Sequence, residues 1–302
     1  MNIFLVGATG FVGVALTQHL LTKGHQVSTL VRSMNRAAAL PAAATIVSGD
    51  PTRPGPWQQT AAASDVIINL AGASIFTRWS ETTKRIILES RVLSTRNLVA
   101  ALATVDPTTP RTLINTSATG YYGYVDDGLK SEKSPPGRDF LAEVCQTWER
   151  EAMAAQNLGH RVVITRLGVV LGGDGGALGK MLPAFRLGLG GRLGSGEQGF
   201  PWIHLADLLE IYSFLIERPD ISGPVNCTAP QPVNNAEFTR ALGRALHRPA
   251  LLPVPGFLLH LLLGEMSSML LRGCRVKPEI LEAQGFSFRF PRIDQALDDL
   301  VG

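Results

Sequence analysis

An apolar run at residues 3–6 stops at Gly7, then passes through Gly7-x-x-Gly10-x-x-Gly13 into a helical pattern carried by Val14, Leu16, Leu20 and Leu21. This order of strand, glycine turn and helix constrains the fold more than any other stretch. A chain leaving a buried parallel strand for a helix must bend sharply, and glycine supplies backbone angles that other residues resist. The second glycine of such a turn lets a pyrophosphate approach the amides, and the third lets the helix pack on the strand. The helix then directs its free N–H groups and the positive end of its dipole at that anion. Three glycines alone are a weak signal, but their place between a strand and a helix makes them a dinucleotide cradle. Gly7, Thr9, Gly10, Phe11, Val12 and Gly13 are the expected lining.

Further apolar strands read at residues 26–31, 45–48, 66–70, 112–116 and 162–165, with helical patterns at 11–23, 80–103 and 140–157. Repeated β-α units with apolar strands predict a doubly wound parallel sheet covered by helices on both faces. A dinucleotide-binding domain over 1–171 follows. Beyond it, glycine-rich segments at 172–179 and 188–196 flank a short helical stretch, and a smaller α/β substrate lobe is expected over 172–302. A helix at 205–217 and a strand at 225–228 suggest that residues 205–228 pack back on the first domain. Later helices read at 235–246, 256–271 and 292–301.

The 302 residues suffice for a sizeable core. Net charge is +3, and no basic stripe is interleaved with aromatics, so nucleic acid is not an expected partner. Three scattered cysteines, Cys145, Cys227 and Cys274, suggest neither a disulfide framework nor a metal site, which fits a cytoplasmic protein. The apolar segment 257–271 is interrupted by His260, Gly264, Glu265 and serines; it is too short to span a bilayer and reads as a helix packed on its own protein, with no membrane partner.

Three strand ends carry the chemistry. Strand two ends at Arg32, about twenty residues beyond the glycines, where the fingerprint places its ribose-reading residue. An acid there favours NAD; an arginine suits the 2′-phosphate of NADP. Strand four runs into Asn69-Leu70-Ala71-Gly72, small residues that let the backbone meet a ligand, and Arg91 lies on the helix expected to flank the same crevice. Strand five ends in Thr116-Ser-Ala-Thr-Gly-Tyr-Tyr-Gly123. Ser117 is expected to orient a reacting oxygen, and Tyr121 or Tyr122 to donate a proton if a neighbour lowers its pKa.

These segments, with Arg166-Leu-Gly-Val-Val-Leu-Gly172 and Phe200-Pro-Trp-Ile-His-Leu-Ala-Asp207, resemble the extended short-chain dehydrogenase/reductase superfamily and its sugar-nucleotide epimerase-like subfamily. The tail from 252 to 300 is similar to that subfamily's C-terminal domain of unknown function. The resemblance implies a Rossmann fold with NADP(H), and places Arg32, Leu70, Ala71, Arg91 and Val170 along the cofactor. One departure matters. The superfamily's catalytic Tyr-x-x-x-Lys should fall near Phe140-Leu-Ala-Glu-Val-Cys-Gln-Thr-Trp-Glu149, where Phe140 or Leu141 and Val144 or Cys145 occupy the register. Acid–base catalysis of this kind contributes on the order of 10²–10⁴-fold. Two expectations stand side by side. One is an NADP-dependent oxidoreductase or epimerase acting on a small polar or nucleotide-sugar-like substrate, its anionic groups met by Lys180, Arg186 or Arg192. The other is a non-catalytic NADPH-binding sensor or scaffold. Trp202, His204 and Asp207 are expected to tie the lobes together, and the chain to be a monomer or homodimer.

Overall fold

The computed structural model describes residues 1–124, 128–173 and 175–302. Along the chain, β1 (Asn2–Val6) leads to α1 (Phe11–Thr22), β2 (Gln26–Val31) to the single turn α2 (Met34–Ala37), and β3 (Thr45–Ser48) to α3 (Trp57–Ala63). Next come β4 (Val66–Asn69), the long α4 (Glu81–Leu102), β5 (Thr112–Ala118), the short β6 (Leu129–Lys130) and α5 (Phe140–Met153). β7 (Arg161–Leu167) runs almost directly into β8 (Val169–Gly172), followed by α6 (Gly176–Arg186), β9 (Gly199–Phe200), β10 (Trp202–His204) and α7 (Leu205–Glu217). The remainder comprises β11 (Gly223–Cys227), β12 (Val233–Asn234), α8 (Asn235–Ala245), α9 (Gly256–Leu263), α10 (Ser268–Leu271), β13 (Arg275–Val276), α11 (Glu279–Ala283) and α12 (Ile293–Val301).

Seven strands form one parallel sheet in the order β11-β7-β5-β4-β1-β2-β3. Its strands are buried on both faces. One face packs on α1 and α7 through Leu16, Leu20, Leu208, Ile211 and Leu215, the other on α3, α4 and α5 through Trp57, Leu98, Leu102 and Ala152. Each such side chain contributes roughly 1.5–3 kcal/mol on burial. This is a Rossmann-type doubly wound fold. Its strand order reverses between β1 and β4, and that switch point opens a crevice at the carboxyl ends of the strands.

β11 is an outer strand of the main sheet and α7 lies against α1, so residues 205–228 belong to the layers of the first lobe. The second lobe has its own core, with Leu178, Leu182 and Phe185 of α6 against Trp202, Phe238, Leu242 and Leu297. Among the described residues only two-stranded ribbons accompany its helices: β8 with β10, β9 with β12, and β13 with β6 of the first lobe. The helical pattern read over 256–271 breaks at Gly264, whose φ of +60° ends α9. A 3-10 turn over Gly264–Ser267 and the short α10 complete it.

Candidate functional site

The three glycines after β1 are not equivalent. Gly7 has φ +84°, and a Cβ there would lie 2.7 Å from the Leu70 carbonyl carbon. At Gly13 a Cβ would lie 2.3 Å from the Gly7 carbonyl oxygen. Both are glycine because the protein packs against itself there. At Gly10 φ is −82°, and a Cβ would meet within 4 Å only the Gly7 oxygen, at 3.3 Å. The backbone angle does not demand glycine here, and the one tight internal contact is with the Gly7 oxygen, far looser than the overlaps at Gly7 and Gly13. Gly10 also caps α1 without a side chain, and the first turn carries no acidic residue, so the amide end of the helix is free to meet an anion.

A cavity of about 810 Å³ opens over this turn. Gly7, Thr9 and Gly10 form one wall and Leu70, Ala71 and Gly72 another. The second wall is held from behind by a buried network. The Asn69 side-chain oxygen accepts from the Ala71 N–H at 3.1 Å, while its amide donates to Asn115 at 2.8 Å and Thr95 at 3.0 Å. At the β2 end the lining is Arg32, Ser33 and Arg36, all exposed. Neither arginine forms an ion pair among the described residues. Ser33 caps α2 without engaging its hydroxyl. Arg36 and Ser33 were missed in the sequence; the four-residue spacing from Arg32 across one helical turn was the available signal. Ser90, also at the cavity, accepts from the Ala73 N–H at 3.0 Å.

The other expected cofactor residues lie around this cavity rather than on it. Phe11 turns its ring toward Gly172, Gly175 and Gly176, whose Cβ positions would meet it at 2.6–2.9 Å, so it seats the entry to α6. Val12 and Val170 pack against the first core. The Arg91 guanidinium lies directly behind Gly72, where a Cβ would sit 2.9 Å from its Cζ. It donates to the carbonyls of Ala73 at 3.1 Å and Ile87 at 2.9 Å and faces the Trp148 ring. Burial without a carboxylate lowers its pKa.

Beyond β5 the arrangement is closed. Ser117 is buried and donates its proton to Glu149 Oε1 at 2.7 Å. Arg166 grips the same carboxylate with Nε at 2.9 Å and Nη2 at 2.7 Å. Its Nη1 donates at 3.0 Å to the Tyr122 hydroxyl, which donates at 2.7 Å to Asn226 Oδ1. The Tyr121 ring lies under the Arg166 guanidinium, 3.4 Å from the centroid. The expected lowering of a tyrosine pKa fails at Tyr122: burial pushes it up to about 12, outweighing Arg166 and the hydrogen bonds. Sequence reading missed Glu149, Arg166 and Asn226, because residues from α5, β7 and β11 meet only through the sheet order.

One face of α5 is turned toward the end of β5. A Cβ at Gly120 would lie 3.6 Å from Leu141 Cβ and 3.9 Å from Cys145 Sγ, so these two side chains face the end of β5. Cys145 donates weakly to the Ala118 carbonyl at 3.8 Å, and burial pushes its thiol up to about 11. Phe140 instead packs edge-on to Trp79, and Glu143 is exposed. Neither side chain that faces the end of β5 is a phenol or an ammonium.

Where the lobes meet, His204 caps α7 by accepting from the Ala206 N–H at 3.0 Å, with Nε2 3.3 Å from Asp299. Asp207 accepts from the N–H groups of Arg289 and Phe290 at 2.7 and 2.9 Å. Both tie the C-terminal segment to α7. Lys180 lies over the Phe76 ring at 4.6 Å, while Arg186 and Arg192 are exposed.

A family model for the NAD dependent epimerase/dehydratase family matches residues 3–227. The chain belongs to that family. A second model, a domain of unknown function (DUF1731), matches residues 254–300. The chain is 40% identical over 298 residues to the epimerase family protein SDR39U1 homolog, chloroplastic, of Arabidopsis thaliana, covering 98% of this chain and 86% of that one. It is 42% identical over 296 residues to epimerase family protein Mb2239 of Mycobacterium bovis, covering 97% and 95%. Among solved structures, human epimerase family protein SDR39U1 (isoform 2) with NADPH superposes with a TM-score of 0.86 at 34% identity, covering 100% of this chain and 99% of that one. More distant nucleotide-sugar epimerases, such as the UDP-glucose 4-epimerase of Thermus thermophilus at 18% identity and a TM-score of 0.79, share the fold.

Proposed function

We propose that this family member binds NADP(H) in the crevice between β1, β2 and β4 and performs redox or epimerase chemistry on a small polar or nucleotide-sugar-like substrate. Gly10 carries the reading: its backbone angle does not require glycine, its one close internal contact is the Gly7 oxygen, and the free end of α1 beside it awaits an anion. In this reading the α1 amides hold the pyrophosphate, and Leu70–Gly72 form the flat wall. Arg32, Ser33 and Arg36 take the 2′-phosphate, through charged forks suited to phosphate oxygens. The NADPH bound to the human relative supports the same choice. Free, buried cysteines support a reducing compartment such as the cytoplasm.

The dinucleotide, when bound, supplies reversible two-electron chemistry. The chain's own part is to place the substrate and manage its proton. The Ser117 proton is committed to Glu149, so its oxygen acts as an acceptor that orients a substrate hydroxyl. Tyr121, whose hydroxyl has no hydrogen-bond partner among the described residues, is the phenol left for proton relay. A second reading, an NADPH-binding sensor or scaffold without catalysis, is favoured by Leu141 and Cys145 at the end of β5.

Fluorescence titration separates the claims. NADPH should bind at least about tenfold tighter than NADH, roughly 1.4 kcal/mol, and Arg32→Asp should erase the preference. Equal affinities in the unmodified protein overturn the assignment. Across a library of carbonyl and sugar-nucleotide substrates, turnover that falls about 10²–10⁴-fold in Tyr121→Phe supports the enzyme; tight NADPH binding with no turnover selects the sensor.

A further inference from the structure

Residues 251–262 leave six large apolar side chains in solvent. Relative exposures are 81% for Leu251, 53% for Leu252, 75% for Phe257, 37% for Leu258, 73% for Leu261 and 62% for Leu262. On α9 the last four fall at i, i+1, i+4 and i+5, which is one outward face. The inner face is satisfied, with Leu259 buried and Leu263 packed on the core around Trp79. The sequence reading of this helix as packed on its own protein thus holds for one side only. Leu187 and Leu189, exposed at 74% and 57%, extend the patch. Their turn abuts the same segment: the Leu252 N–H donates to the Gly190 carbonyl at 3.3 Å, and a Cβ at Gly188 would lie 3.7 Å from Pro249.

A basic rim adjoins the leucines. Leu251 shares an open cavity of about 630 Å³ with Arg240, Arg244, His247 and Arg248 from the end of α8 and the turn after it. The three arginines form no ion pair among the described residues. Exposed apolar side chains concentrated in one short segment and the turn against it mark an interaction site. A surface with an apolar interior and an anionic skin meets both halves of the patch.

We propose that this face docks the second lobe on an anionic lipid surface. Phe257, Leu258, Leu261 and Leu262 enter the headgroup boundary, and Arg240, Arg244 and Arg248 meet lipid phosphates. α9 has eight residues, about 12 Å of helix, so it lies in the interface and does not cross it. No helix among the described residues is long and apolar enough to span a membrane.

Vesicle co-sedimentation of the full chain tests this. Vesicles of mixed phosphatidylglycerol and phosphatidylcholine should carry the protein down, pure phosphatidylcholine far less, and salt should weaken the binding. Leu261→Glu with Leu262→Glu should abolish it. Arg244→Glu with Arg248→Glu should weaken it at least about tenfold, since each basic side chain near such a surface contributes roughly fivefold. Unchanged thermal melts show that both surface variants fold. Failure to bind either vesicle overturns the proposal, as does equal binding to both. So does a dimer, seen by sedimentation velocity and dissolved by the leucine variant, in protein that ignores vesicles.

Discussion

Around Gly10 the chain leaves a free helix end, an open glycine and two arginines without ion pairs, whereas around Ser117 its polar groups are committed to one another. The first region is assembled from consecutive segments, a strand end and the turn after it, and it faces outward. The second joins Ser117, Tyr122, Glu149, Arg166 and Asn226 from four elements and a turn, all buried. An unsatisfied donor or cation beside water costs little and waits for a ligand. The same group in the interior would cost several kcal/mol, so each is paired. Polar residues at strand ends therefore divide mainly by exposure into those that serve a ligand and those that lock the sheet. Ser117 stands between them, its proton held by Glu149 and its oxygen the part assigned to a substrate in the proposed reading.

The sharpest way to break this contrast is to add side chains to the glycines. Gly13→Val should cost enough stability to leave little folded protein, because its Cβ would overlap the Gly7 carbonyl oxygen at 2.3 Å. Gly10→Val, whose Cβ would press on the Gly7 oxygen only at 3.3 Å, should cost much less stability than Gly13→Val yet lose NADPH in a fluorescence titration. A Gly10→Val protein that is well folded and binds NADPH normally would place the cradle elsewhere.

Next in size is the closed region. Glu149→Gln removes the partner of a buried arginine, a change worth about 3–5 kcal/mol, and chemical denaturation should register it. A loss below about 1 kcal/mol would show that the pair is solvated rather than locked. Ser117→Ala deletes one charged hydrogen bond and should cost roughly 1.5–3 kcal/mol, with NADPH affinity unchanged. If affinity fell while stability held, Ser117 would belong to the cofactor and not to the lock.

The smallest effect is in alkali. Tyr122 has its pKa raised from 10.0 to about 12 in the folded protein. Its contribution is therefore complete below pH 10 and is lost as pH rises through about 12, since the unfolded chain releases the proton first. Tyr122→Phe should flatten the fall in stability between pH 10 and 12. An identical slope in the two proteins would show the hydroxyl to be solvated.

Much of the open region was legible in order along the chain. Gly7, Gly10, Gly13, Arg32 and Leu70–Gly72 lie at the ends of β1, β2 and β4, and the period of the strands with the glycine spacing located them. That same reading extended the lining to Phe11, Val12 and Val170, which pack against their own protein, because hydrophobicity does not say which neighbour a side chain will meet. It also passed over Arg36, since a four-residue spacing acquires meaning only once α2 turns it toward the cavity.

What the sequence by itself determined is therefore the architecture and the cofactor end: alternating apolar strands and helices pair by local periodicity, and a glycine turn is a local object. What only the tertiary structure decided is the fate of polar and apolar residues far apart in the chain. Arg166 found Glu149 seventeen residues away, Tyr122 found Asn226 across 104, and Leu141 with Cys145 turned toward β5 where Phe140 did not. The outward face of α9 is of the same kind. Its leucines read as core in one dimension, and they stay in solvent because the body of the lobe covers only one side of the helix. Local pattern records what a residue can do, while packing fixes what remains for it to touch.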